Sequence, residues 1–182
     1  MTYYGPKQMA DSLRTVRKNT IIIAEEIGEE HYGFRATPET RSVAQLLIHI
    51  AMSPQIAEHI HAIERRTTLE GFDFAPFFIR LQNEEQNPRP KAAIISLLRT
   101  EGDRFAAWLD SVSDDFLGEK VTMPAGMNPP SKTRFEMILG VKEHEMHHRG
   151  QLMLIERLIG QVPHLTREMN AWIEATMAGS KR

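Results

Sequence analysis

Along most of this chain the apolar residues recur at alternating steps of three and four, the period of helices with one buried face. From Met9 they fall at Leu13, Val16, Ile23 and Ile27, with Pro6 ahead of the run and Gly28 behind it. Proline just inside the start and glycine just past the end mark the limits of a first helix. A second run of Val43, Leu46, Leu47 and Ile50 follows Thr40 and Ser42, either of which suits an N-cap. It continues through Ile56, Ile60 and Ile63, but Pro54 lies within it, so a kinked helix is expected.

The segment from Gly71 to Phe78 is aromatic, carries Pro76 and breaks the period, which predicts a loop leading to a short helix. Pro88-Arg89-Pro90 is a clear break. Beyond it Ile94, Leu97, Leu98, Phe105, Trp108 and Leu109 predict a helix from about Lys91, with Gly102 in its middle. Pro124, Gly126 and Pro129-Pro130 make 121–130 a loop with at most a brief extended piece. Ser131 or Thr133 suits the cap of a long helix from about Phe135 to Ile159, closed by Gly160. After Pro163, the residues around Met169, Trp172 and Ile173 predict a short terminal helix packed on the rest. With no repeat, linker or strand pattern, the expected fold is all-α: one helical bundle domain over 1–182.

Composition narrows the chemistry. The chain has 182 residues, 41% hydrophobic and 25% charged, enough for a full core without staples. A net charge of -2 gives no electrostatic footprint for nucleic acid, so small molecules or proteins are the expected partners. There is no cysteine. Disulfides, thiolate metal sites and cysteine nucleophiles are thereby excluded, and any metal must be held by nitrogen and oxygen. Met1 to Pro6 show neither the basic nor the apolar region of a secretory signal, and Leu46 to Met52 is too short to span a bilayer. No membrane association and a cytoplasmic location are the expectation.

The chemistry-bearing segment is Lys142-Glu143-His144-Glu145-Met146-His147-His148-Arg149-Gly150-Gln151, inside the long late helix. His144 and His148 stand at i and i+4, one turn apart on one face. They fall on the stripe Met137, Val141, His144, His148, Gln151, Ile155 and Leu158, which should face the bundle core. Two uncoordinated imidazoles there would each need partners for both ring nitrogens, and one metal ion answers one nitrogen of each. His49, within the apolar run Leu46-Leu47-Ile48-His49-Ile50-Ala51, is the candidate third ligand from a facing helix. Three protein ligands leave a position for water or substrate, as catalytic sites do. His31, His59, His61, His147 and His164 are expected at the surface. A competing reading takes His144-Glu145-Met146-His147-His148 as H-E-x-x-H, with Glu145 as base and Glu168 or Glu174 completing a zinc hydrolase site.

His148-Arg149-Gly150-Gln151, preceded by His144 and paired with the Leu46–Ala51 segment, resembles the DinB/YfiT-like superfamily. The capped entry from Thr40 to Leu47 resembles that family's lead into its first metal histidine. The resemblance implies a four-helix bundle of up-down-down-up type, here with an extra short C-terminal helix. It further implies one divalent metal, zinc or nickel, on His49, His144 and His148, and a homodimer. Relatives include transferases that join low-molecular-weight thiols to electrophiles and a mycothiol-dependent isomerase. On this basis the expected function is a metal-dependent enzyme acting on a small molecule, with thiol transfer as the specific reaction. A non-catalytic, stress-associated metal module is the alternative.

Three neighbours of the histidines carry further expectations. Gly150, costing roughly 1 kcal/mol in mid-helix, suggests close approach of another backbone. Arg149 suits a carboxylate partner at the bundle edge or an anionic substrate, and Gln151 suits a hydrogen bond to a ligand. The stretch from Phe72 to Phe78 departs from the family pattern as an insertion or lid, and Pro54 distorts the helix beside the site.

Overall fold

A computed structural model describes residues 4–179. Four helices form the bundle: α1 (Pro6–Glu26), α2 (Val43–Met52), α5 (Lys91–Ser111) and α7 (Arg134–Leu158). α1 and α2 each pack against both α5 and α7. The short helix α3 (Pro54–Glu58) and a π-helical turn, His59–Ile63, continue the path of α2. α4 (Ala75–Gln86) lies against α2, α6 (Asp114–Gly118) against α7, and α8 (His164–Gly179) ends the chain. The one sheet among the described residues pairs β1 (Lys120–Thr122) antiparallel with β2 (Ser131–Thr133); only Val121 and Thr122 of it fall within the loop expected at 121–130, and the second strand is not among the expected elements. No helix among them is long and apolar enough to cross a membrane.

The helix starts follow local chemistry. Ser42 caps α2 in a reciprocal box with Gln45, and Thr133 caps α7 in the same way with Glu136. The core between α1, α2, α5 and α7 is aliphatic, built around Ile23, Ile27, Leu47, Ile50, Ile94 and Leu98.

One buried side chain ties all four bundle helices. Arg17 of α1 donates to both carboxylate oxygens of Glu145 on α7, at 2.9 and 3.1 Å from Nε and 2.9 Å from Nη2. It also donates to the Leu98 carbonyl of α5 at 2.6 Å and to the Ile50 carbonyl of α2 at 3.3 Å. The Ile50 carbonyl is free because Pro54, four residues on, has no N–H to give it. The Ser53 hydroxyl completes the repair at 3.4 Å, so the helical path kinks without leaving a buried acceptor empty. Gly102, in the middle of a continuous α5, makes room: a Cβ there would lie 2.8 Å from Arg17 Cγ.

Several elements differ from the sequence expectation. Phe74 precedes the first turn of α4, which runs twelve residues rather than forming a short appendage, because Pro76 sits in the first turn, where its missing N–H is harmless. Ile63 is exposed, because the π-helical turn rotates it off the face that Ile56 and Ile60 share. α8 is sixteen residues long, and only His164 of it is buried. Met169, Trp172 and Ile173 are exposed rather than packed, because α8 touches the bundle near its start, through α1 and the Arg157–Thr166 hydrogen bond to α7, and leaves their face uncovered. Leu158, at the end of the expected core stripe, is 55% exposed where α7 outruns the core.

Candidate metal centre

His49 projects from α2, and His144 and His148 from α7, into one cluster. The Nε2 of His144 lies 3.1 Å from that of His49 and 3.1 Å from that of His148. One nitrogen from each of the three falls within 4.8 Å of the others. His49 and His148 are buried and His144 is half-buried.

The opposite edge of every ring is already engaged. His49 Nδ1 donates to Glu85 Oε1 at 2.7 Å, since a carboxylate only accepts. His148 Nδ1 donates to Gln151 Oε1 at 2.8 Å. His144 Nδ1 lies 3.3 Å from Ser53 Oγ, whose proton is turned to the Ile50 carbonyl, so the ring donates here too. Each neutral imidazole therefore carries its proton on Nδ1 and turns an Nε2 lone pair toward the common centre. Three lone pairs at this spacing repel one another unless a cation lies between them. Nitrogens bound at ~2.0–2.1 Å to one ion stand about 2.9–3.4 Å apart, and the separations of 3.1 Å fit that set.

Electrostatics favour the neutral, ligand form of His144 and His148. Burial, reinforced by the charges of the neighbouring histidines, lowers His144 to about 4. Burial also lowers His148, against the opposing hydrogen bond to Gln151. Burial alone would raise Glu85, but the hydrogen bonds from His49 and Arg41 outweigh it and hold the carboxyl below its ordinary range. Arg41 Nε meets Glu85 Oε2 at 2.7 Å, so a chain of arginine, carboxylate and imidazole runs to the centre. Such carboxylate–histidine contacts fix ring orientation and raise ligand basicity.

Beside the cluster opens a cavity of about 470 Å³, within the range of small-molecule sites. Arg41, His49, His144 and Glu85 form its polar end, while Ile56, Ile60, Leu81, Met137 and Val141 supply apolar wall. Phe78 also lines it, so the aromatic segment contributes wall as well as packing: Phe72 stacks on Phe77 at 5.6 Å, and Phe77 meets His59 at 4.8 Å.

Residues 12–152 match the DinB superfamily profile. The chain belongs to the DinB superfamily. YjoA of Bacillus subtilis (strain 168), an uncharacterized protein, is 22% identical over 153 residues, which cover 84% of this chain and 90% of YjoA. The crystal structure of YjoA, a DinB-like protein, superposes with a TM-score of 0.62 at 21% identity, covering 85% of this chain and 94% of that one. YfiT of Bacillus subtilis superposes with a TM-score of 0.66 at 14% identity, covering 88% and 91%. It is described as a probable metal-dependent hydrolase with an unusual four-helix bundle topology. The four-helix bundle expected from the sequence is the fold of this DinB member.

Around the cluster, several expectations need correction. The H-E-x-x-H arrangement is not built. Glu145 is buried against α1, bound by Arg17 and by Thr20 at 2.8 Å, and Glu168 and Glu174 are exposed on α8. Gly150 has open space where a Cβ would stand, so no backbone approaches it. Arg149 makes no ion pair among the described residues. His61 and His164, expected at the surface, are buried, because the π-helical turn carries one inward and the first turn of α8 carries the other. Gln151 is exposed, off the core stripe, yet meets His148 as its position suggested. Glu85 and Ser53 had no sequence signal beyond the general need of a ligand histidine for an acceptor on its second nitrogen.

Proposed function

We propose that this DinB member is a divalent-metal-dependent enzyme acting on a small molecule, with transfer of a low-molecular-weight thiol to an electrophile as its reaction. The observation that carries the reading is the convergence of the His49, His144 and His148 Nε2 lone pairs at the wall of an open cavity. Zinc and nickel both suit three imidazoles. The ion, when bound, supplies Lewis acidity that lowers the pKa of a thiol or water and makes a nucleophile near neutral pH.

The chain's own groups do the rest. Glu85, Ser53 and Gln151 hold the three rings in one tautomer and one orientation. Among the described residues no carboxylate or other histidine joins the cluster, so the protein leaves coordination open to a reactant, against a purely structural module. Apolar side chains wall the space open to an electrophile, and Arg41, ion-paired with Glu85, stands at its polar end. With no cysteine in the chain, the thiol comes from outside.

Hydrolysis is the second reading, supported by the description of YfiT as a probable metal-dependent hydrolase. Metal content by mass spectrometry, on untagged protein purified without chelators, tests the shared premise. Wild type should hold about one equivalent of a divalent metal and His148→Ala less than about a tenth of that. Zinc- and nickel-loaded protein is then given monochlorobimane with and without added thiols, and separately a panel of activated esters. Thiol-dependent product supports transfer, and ester cleavage without thiol supports hydrolysis. Wild-type protein that takes up neither metal would sink both.

A further inference from the structure

A fourth histidine lines the same cavity and takes no part in the cluster. His61 is 1% exposed, in the middle of the π-helical turn. Its Nδ1 lies 3.1 Å from Arg134 Nη1. A guanidinium only donates, so Nδ1 accepts and the neutral ring must carry its proton on Nε2. Burial, and then the charge of Arg134, push His61 down to about 4, which keeps the ring neutral. No partner for Nε2–H exists among the described residues.

The arrangement is held from several sides. Arg134 is itself buried, bound through Nε to Glu119 at 2.8 Å and through Nη2 to the Arg65 carbonyl at 3.3 Å. Its guanidinium lies 4.8 Å over the ring of Phe116. The hydrogen bond to Arg134 occupies the Nδ1 edge of His61 and leaves the Nε2 edge to face a cavity; besides the metal cavity, His61 lines a second one with Arg65, Trp108 and Phe116. The backbone contributes as well. His49, Ser53, Ala57 and His61 form a row at steps of four, which in an α-helix drifts by about 40° per step. The π-helical turn, marked by the Glu64 N–H bond to the His59 carbonyl at 2.9 Å, advances fewer degrees per residue and offsets that drift. All four residues of the row line the cavity.

We infer that His61 is a specificity residue: its Nε2–H points into the metal cavity and receives a hydrogen-bond acceptor, a carbonyl or ether oxygen, on the part of the substrate remote from the reacting end. The inference rests on the metal-dependent reading. It assigns the substrate class as a largely apolar molecule with one remote neutral acceptor, set between the histidine cluster and His61. An N–H that faces the cavity without a protein partner favours a ligand that brings it an acceptor over one that covers it without an acceptor. Ile56, Ile60 and Met137 provide the apolar contact for the intervening carbons.

The probes are eight-carbon hydroxamic acids, in which the hydroxamate serves as the metal-binding end. One is fully apolar, and three carry a ketone at the fifth, sixth or seventh carbon. Calorimetry on full-length zinc-loaded protein should show one ketone position binding at least tenfold more tightly than the apolar probe. His61→Leu should bind all four alike. His61→Gln, whose oxygen accepts from Arg134 while its amide donates, should recover most of the preference. Zinc content should be the same in all three proteins. If His61→Leu does not fold, nitrogen NMR of the wild-type imidazoles decides instead: His61 should be the Nε2–H tautomer, and its Nε2 signal should move with the preferred ketone and not with the apolar probe. Equal binding of every probe by zinc-loaded wild type, or an Nδ1–H tautomer, overturns the inference and leaves the metal reading standing. Failure of wild type to take up zinc overturns both.

Discussion

His144 and Glu145 are neighbours on α7 that face different helices, and the two faces treat buried polarity in opposite ways. On the α1 side, Glu145 accepts from Arg17 and Thr20, while Arg17 also reaches the Leu98 and Ile50 carbonyls. The carboxylate and its arginine answer each other, and no lone pair is turned toward empty space. On the α2 side, the histidines are answered only at their outer edges, by Glu85, Ser53 and Gln151. Their inner edges present three acceptors to one another and no donor. A closed network rigidifies a core, whereas an incomplete one whose loose ends converge is a binding site. Burial does not separate the two, since Glu145 and His148 are both buried. Convergence does.

Breaking the closed face should cost the most. Glu145→Ala leaves the Arg17 guanidinium buried without its counter-charge, for which a loss of about 3–5 kcal/mol is typical. Urea unfolding of metal-free protein measures it. The fraction that still folds should bind zinc with wild-type stoichiometry, because Glu145 touches no ligand. Unchanged stability together with lost zinc or lost activity would return Glu145 to the role that H-E-x-x-H assigns it, and the comparison would fail.

On the open face the effect should be smaller and should fall on the metal. Glu85→Gln keeps an acceptor for His49 but removes the charge, and changes of this kind weaken metal affinity about 10–100-fold. Competition with a chromophoric chelator reads it, with thermal stability of the metal-free protein changed by no more than about 1 kcal/mol. Equal zinc affinity in the two proteins would mean that the carboxylate serves Arg41 alone.

The two faces also differ in how far the sequence disclosed them. His49, His144 and His148 could be picked out because imidazoles on apolar faces stand out locally, and a spacing of four fixes their common direction. The capping boxes at Ser42 and Thr133 are local in the same way. Glu85 could not be found: it lies in the polar run Asn83-Glu84-Glu85-Gln86, thirty-six positions from His49, and only packing of α4 on α2 joins them. The Arg17–Glu145 pair spans 128 positions and looks in sequence like two ordinary helix-surface charges. His61 was misplaced because its polar neighbours suggest a solvated helix, while the π-helical turn that rotates it inward has no signature in the residue pattern. The period likewise shows that α8 is amphipathic but not that its apolar face stays uncovered.

Three turns beyond Glu145 on the same face of α7, Glu156 shows what that face would be without its arginine. It is fully buried, and neither carboxylate oxygen has a hydrogen-bond partner. Burial, then the nearby charge of Glu26, raise its pKa to about 7. A carboxyl whose folded pKa exceeds its unfolded one holds its proton more tightly in the folded state. Its stabilising contribution is therefore complete below the unfolded value, near 4.5, and is lost as pH rises through about 7. The loss is on the order of 3 kcal/mol if the whole shift is expressed. Glu156→Gln cannot ionise, so the variant should match wild type at pH 5 and exceed it at pH 7.5, by up to that amount. Urea unfolding of metal-free protein at the two pH values measures the difference. The buried histidines titrate in both proteins and cancel in the comparison, which leaves Glu156 as the source of any divergence. Parallel pH profiles would show that the carboxylate is paired in solution, and that the α1 side of α7 is closed along its whole length.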